Sequence, residues 1–72
     1  MPMTQEQLDN WFQYHKPEAG QPETYERIRA AGKAFAKVIV EETPSSADQT
    51  AAVRKVREAV YTANAAVACK GQ

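Results

Sequence analysis

Residues 25–67 read YERIRAAGKAFAKVIVEETPSSADQTAAVRKVREAVYTANAAV, and two matched apolar patterns in this stretch decide the fold. Tyr25, Ile28, Gly32, Phe35 and Ile39 recur at steps of 3, 4, 3 and 4. Val53, Val56, Val60, Ala63 and Val67 repeat the same steps. Such spacing places each set along one face of a helix. Between them Pro44 bars helix continuation, and Ser46 followed by Gln49 has the form of a capping box that starts the next helix. A connection this short makes the helices antiparallel neighbours, an αα-hairpin with facing seams.

Working outward, Pro22 fits the first turn of the second helix, with Glu23 and Glu26 suited to its positive end. Gly71 is a natural stop for the third. On the N-terminal side, Thr4 with Gln7 reads as another capping box. Leu8, Trp11 and Phe12 then form a short apolar face before Pro17 and Gly20 interrupt it. The expected protein is therefore all-α: a short N-terminal helix and a long antiparallel hairpin, in one domain over 1–72, with helices at about 4–15, 22–43 and 46–70.

The hairpin alone leaves surface uncovered. Ala52, Ala59 and Ala66 make a second stripe beside the valine seam, narrow enough for another helix to approach closely. The first helix is able to cover only part of it. Gly32 in the first seam costs about 1 kcal/mol relative to alanine, so it is either tolerated by accident or required by close approach of a helix or ligand. A core of this size supplies roughly 3–5 kcal/mol unaided. Cys69 is the only cysteine and His15 the only histidine, so neither disulfides nor a Cys/His metal site adds to it. Self-association or a partner is the remaining device.

Nine basic and nine acidic residues cancel, which removes the long-range attraction that DNA or an anionic membrane exerts on a basic protein. The lone cysteine and the lack of a signal or spanning segment point to a cytoplasmic protein. No nucleophile adjoins His15, no second ligand adjoins Cys69, and no cofactor or metal motif is present, so a binding rather than catalytic protein is expected.

Arg29, Lys33 and Lys37 recur every four positions on the second helix. Spacing alone favours a solvated face paired with Glu26 and Glu41; the functional alternative is phosphate capture. The segment Trp11-Phe12-Gln13-Tyr14-His15-Lys16-Pro17 supplies aromatic rings. Trp11 or Phe12 is expected to plug the hairpin, whereas Tyr14 and His15 carry polar tips suited to a ligand. Tyr61 points off its seam and is expected at an interface, and Asn64 either fixes helix register or binds ligand.

Several pieces taken in order make the sequence specific: Tyr14-His15-Lys16-Pro17, Tyr25-Glu26-Arg27-Ile28-Arg29, Gly32-Lys33-Ala34-Phe35-Ala36, Pro44-Ser45-Ser46-Ala47-Asp48, Glu58-Ala59-Val60 and Ala63-Asn64-Ala65-Ala66-Val67-Ala68-Cys69. From about Leu8 to Cys69 the chain resembles the helical-hairpin domain of phage anti-CBASS protein 2, shared with a phage anti-Thoeris protein. The resemblance implies a non-catalytic sponge that sequesters cyclic oligonucleotide immune messengers, such as cyclic GMP-AMP, in an infected bacterial cell. It further implies a homohexamer with cyclic dinucleotides held between subunits. Tyr14 takes the position of the base-stacking tyrosine, with His15 and Lys16 beside it, and Arg29 or Lys33 that of the phosphate-holding base; Asn64 joins the candidate site.

The resemblance also implies a second site, for cyclic trinucleotides, near the start of the third helix. Relatives show a Ser-Arg-Glu pattern there, whereas this chain reads Ser46-Ala47-Asp48, leaving Thr50 and Arg54 as substitutes. Anti-Thoeris relatives carry a further domain and bind cyclic ADP-ribose species. The competing reading is a helical protein-interaction module with no nucleotide ligand.

Overall fold

A computed structural model describes residues 3–71, in which three helices follow in order: α1 (Gln5–Trp11), α2 (Gln21–Glu42) and α3 (Ala47–Ala68). No strand occurs among the described residues. The single domain expected over 1–72 includes residues 1, 2 and 72, which lie outside them.

The capping box at α1 is complete. Gln7 N donates to Thr4 Oγ1 at 3.1 Å and Thr4 N to Gln7 Oε1 at 3.0 Å. The helix is nonetheless four residues shorter at its C-terminus than the expected 4–15, ending at Trp11. Pro17 disfavours helical backbone at Lys16. His15 Nε2, 2.6 Å from the Asn10 carbonyl oxygen, donates the hydrogen bond that the amide of residue 14 would supply in a longer helix. Tyr14, His15 and Lys16 therefore lie on an irregular connection rather than on a helix.

Gly20 precedes α2 in the left-handed region at φ 85°, a conformation that suits glycine. Gln21, one residue before the expected start, opens the helix, and its Nε2 donates to Val67 O at 3.3 Å, tying the start of α2 to the end of α3. At the opposite end, Ser46 caps α3 by accepting from Gln49 N at 3.1 Å. The reciprocal half of that expected capping box does not form. Gln49 Nε2 instead donates to Val40 O, Thr43 O and Thr43 Oγ1 at 3.0–3.2 Å, because the last carbonyls of α2 lack helical partners and lie within its reach. Replacing Gln49 with alanine is expected to cost about 1 kcal/mol in urea denaturation and to loosen the hairpin turn, since these are exposed hydrogen bonds of ordinary strength. The helix α3 ends two residues before the expected position 70. Gly71 N donates to Ala66 O at 2.9 Å and Lys70 N to Val67 O at 3.2 Å, the pairing of a Schellman motif.

The helices α2 and α3 make the main tertiary contact, and they run antiparallel. Packing is thin: the protein measures 44 × 31 × 17 Å, and among the described residues only Val56 and Cys69 are buried. The seam positions Tyr25, Ile28, Ile39, Val53, Val60 and Val67 are half-buried. Phe35, expected in the seam, is 60% exposed, and Ala36 is half-buried beside it. A straight α-helix drifts about 20° per heptad from a 3.5-residue repeat, which carries Phe35 to the edge of the contact. The expectation that Trp11 or Phe12 plugs the hairpin is not met, since both are exposed. The helix α1 is too short to reach across the seam.

Gly32 resolves toward close approach. A Cβ at that position would stand 2.5 Å from Val60 Cγ2, so the absence of a side chain lets α3 seat against α2 there.

Candidate functional site

On one side of the seam, α2 and α3 diverge into a cleft of about 380 Å³, within the range of ligand sites. Arg29 and Lys33, one turn apart on α2, face Arg57, Tyr61 and Asn64, which follow one another at helical spacing on α3. Gly32 and Val60 form part of the floor, so the tight contact at Gly32 also fixes how near the cations of the two helices come.

The cations in the cleft have no carboxylate partner among the described residues. Among the described residues the one ion pair is Lys70 Nζ with Glu18 Oε2, at 2.9 Å, and Glu26 and Glu41 are not paired with the α2 row. The row is exposed to solvent, as spacing alone favours, but the ion pairs expected with Glu26 and Glu41 do not form. Lys37, the third member of the row, does not line the cleft. Asn64 contributes an acceptor of unusual status: its Oδ1 is buried and has no hydrogen-bond partner. Leaving such an atom unsatisfied costs roughly 1–3 kcal/mol, which a donor from a ligand or a second chain would remove.

The structure therefore brings Arg29, Lys33 and Asn64 together. It does not bring Tyr14, His15 or Lys16 to them. Tyr14 is 83% exposed on the connection after α1. His15 is engaged with the Asn10 carbonyl and lies 3.8 Å from Cys69 Sγ, a position that ties the connection to the end of α3. Thr50 Oγ1 donates to Ser46 O at 3.3 Å, Arg54 is exposed, and neither lines this cleft. Arg57 is not among the candidates that the sequence alone offers. Its signal was present, because positions 57, 61 and 64 share a helix face with two residues already singled out.

Among the described residues no group of three or more His, Cys, Asp or Glu side chains is arranged to hold a metal ion. No helix among them is long and apolar enough to cross a membrane. The model of the Acb2/Tad1 hairpin domain matches residues 4–68. The chain belongs to this family. Membership in the Acb2/Tad1 hairpin family supports the general role of an anti-defence sponge. No curated protein and no solved structure matches the chain.

Proposed function

We propose that this Acb2/Tad1 hairpin protein is a non-catalytic sponge for cyclic dinucleotides such as cyclic GMP-AMP, acting as a homo-oligomer in the cytoplasm of an infected bacterium. The observation that carries the reading is the cleft in which Arg29, Lys33 and Arg57 stand without carboxylate partners beside Tyr61 and the unsatisfied Asn64 Oδ1. A cyclic dinucleotide carries two phosphates for the cations, flat bases for aromatic rings, and N–H and hydroxyl donors for Asn64. Affinity is the mechanism. A molar excess of sites lowers free messenger by mass action and denies it to the CBASS effector.

Self-association is part of this reading. Phe35 is exposed on α2, and the open apolar groove that it lines between the helices runs past Ile28, Ile39, Ala52 and Ala59 on the other side of the seam. A second copy covering that surface supplies the stability a thin core lacks, with six copies as the family likeness implies. Tyr14, exposed and not part of its own chain's cleft lining, would then stack on ligand held by a neighbour. Thr50 and Arg54, near the start of α3, are the residues for a second, cyclic trinucleotide site of the same assembly.

A thermal-shift panel of cyclic di- and trinucleotides tests the proposal. A rise in melting temperature at saturating dinucleotide, with intact nucleotide recovered after denaturation, is the expected result; no rise with any member sinks the sponge reading, and linear product would reveal a phosphodiesterase. Changing Tyr14 to alanine is expected to weaken dinucleotide binding by roughly 5- to 150-fold without altering oligomer mass, since one stacked base is lost.

A further inference from the structure

A second cleft opens where α1 meets the C-terminal half of α3, and Trp11, Phe12, Tyr61, Ala65 and Ala66 line it. Its chemistry differs from that of the cation cleft. Among the described residues no charged side chain lines it, and its three rings are exposed to solvent, Phe12 by 82%, Tyr61 by 63% and Trp11 by 51%. Ala65 and Ala66 present nothing beyond a methyl group, so a flat group is able to lie close to the α3 backbone. Tyr61 lines both clefts, so they adjoin at that residue on α3. Uncharged aromatic walls adjoining a cluster of unpaired cations match the division of a nucleotide into base and phosphate.

We infer that this aromatic cleft is a nucleobase subsite, in which Trp11, Phe12 and Tyr61 receive one base of a nucleotide whose phosphate occupies the cation cleft of the same chain. The inference rests on the sponge reading above and adds a base contact within one subunit, separate from Tyr14. Tyr61 is the junction, facing the sugar-phosphate on one side and the base on the other. Stacking on a ring is tolerant of base identity, so this subsite sets affinity more than base choice.

Trp11 is the only tryptophan, so its emission reports on this cleft directly. The full chain is titrated with cyclic GMP-AMP while binding is followed by calorimetry and Trp11 emission is read in parallel. Saturable quenching with the same midpoint as the heat is expected. Inorganic pyrophosphate, which brings charge without a base, is expected to leave the emission unchanged. Phe12→Ala, at an exposed position where folding is little affected, is expected to weaken binding by roughly 5- to 150-fold. Calorimetric binding with unchanged emission and full affinity in Phe12→Ala overturns the subsite and leaves the sponge reading standing. Emission that follows protein concentration and ignores ligand assigns the cleft to a second copy, and likewise overturns it. Absence of any heat with the nucleotide removes the sponge reading and the subsite together.

Discussion

Gly32→Ala is expected to lower the thermal midpoint of the protein, although helix propensity alone predicts a rise of about 1 kcal/mol in stability. The new Cβ would stand 2.5 Å from Val60 Cγ2, well inside the roughly 3.5–4.0 Å of a comfortable carbon–carbon contact. Val60 does not easily turn aside, because a β-branched side chain in a helix is held in one strongly preferred rotamer. The helices must therefore separate, at a cost of about 1–3 kcal/mol for overpacking. The net loss of roughly 1 kcal/mol corresponds to a fall of about 4–8 °C for a domain of this size. Gly32→Val adds two more methyl groups at the same spot and is expected to abolish the folded hairpin, given that the available stability is only a few kcal/mol. Circular dichroism melts at one fixed protein concentration check both variants, since self-association makes the midpoint concentration-dependent. Val60→Ala in the Gly32→Ala background should recover part of the loss, a non-additivity that assigns the effect to this contact. A raised midpoint for Gly32→Ala alone would show that the helices approach less closely.

That contact also marks how far the sequence could be read. The 3, 4, 3, 4 spacing identifies both long helices, Pro44 their break, and their antiparallel pairing, because periodicity and proline act locally. Gly32 was visible as a cost without a visible reason, since the reason is Val60, 28 positions away. Gln49 misled for the same kind of cause. Its spacing from Ser46 fits a capping box, but the unpaired carbonyls of α2 compete for its amide only once the hairpin has closed. The end of α1 depends on His15 reaching back to Asn10, a side-chain competition that apolar periodicity does not register. At the candidate site, Arg29, Lys33 and Asn64 were legible individually. Their convergence with Arg57 and Tyr61 was not, because it depends on the register between α2 and α3. Residues on the connection, Tyr14 above all, stand out in the sequence by chemistry and likeness, and one chain does not bring them to the cleft.

Removing the cleft cations is expected to weaken ligand binding while leaving protein stability unchanged or slightly raised, and that contrast separates a binding cleft from a solvated face. Arg29, Lys33 and Arg57 are exposed, share a cleft and have no ion pair, so in the free protein they repel one another more than they stabilise anything. Each change to alanine should therefore leave the melting temperature unchanged or slightly raised, within about 0.5 kcal/mol. Phosphate contacts by charged donors are worth roughly 1.5–3 kcal/mol apiece, so each alanine variant that removes one is expected to weaken cyclic dinucleotide binding by about 10- to 150-fold. Binding by the parent should also fall as salt rises, with a shallower slope in every variant that has lost a contact. Charge-preserving exchanges then divide the roles. If Arg29 grips phosphate through two parallel donors, Arg29→Lys loses affinity while Lys33→Arg keeps it; if Lys33 acts as the point charge, Lys33→Ala is the more damaging alanine change. Calorimetry on the set, with melts on the same samples, reads both quantities. Affinity retained in all three alanine variants would place the phosphates elsewhere and return the row on α2 to an ordinary solvated surface.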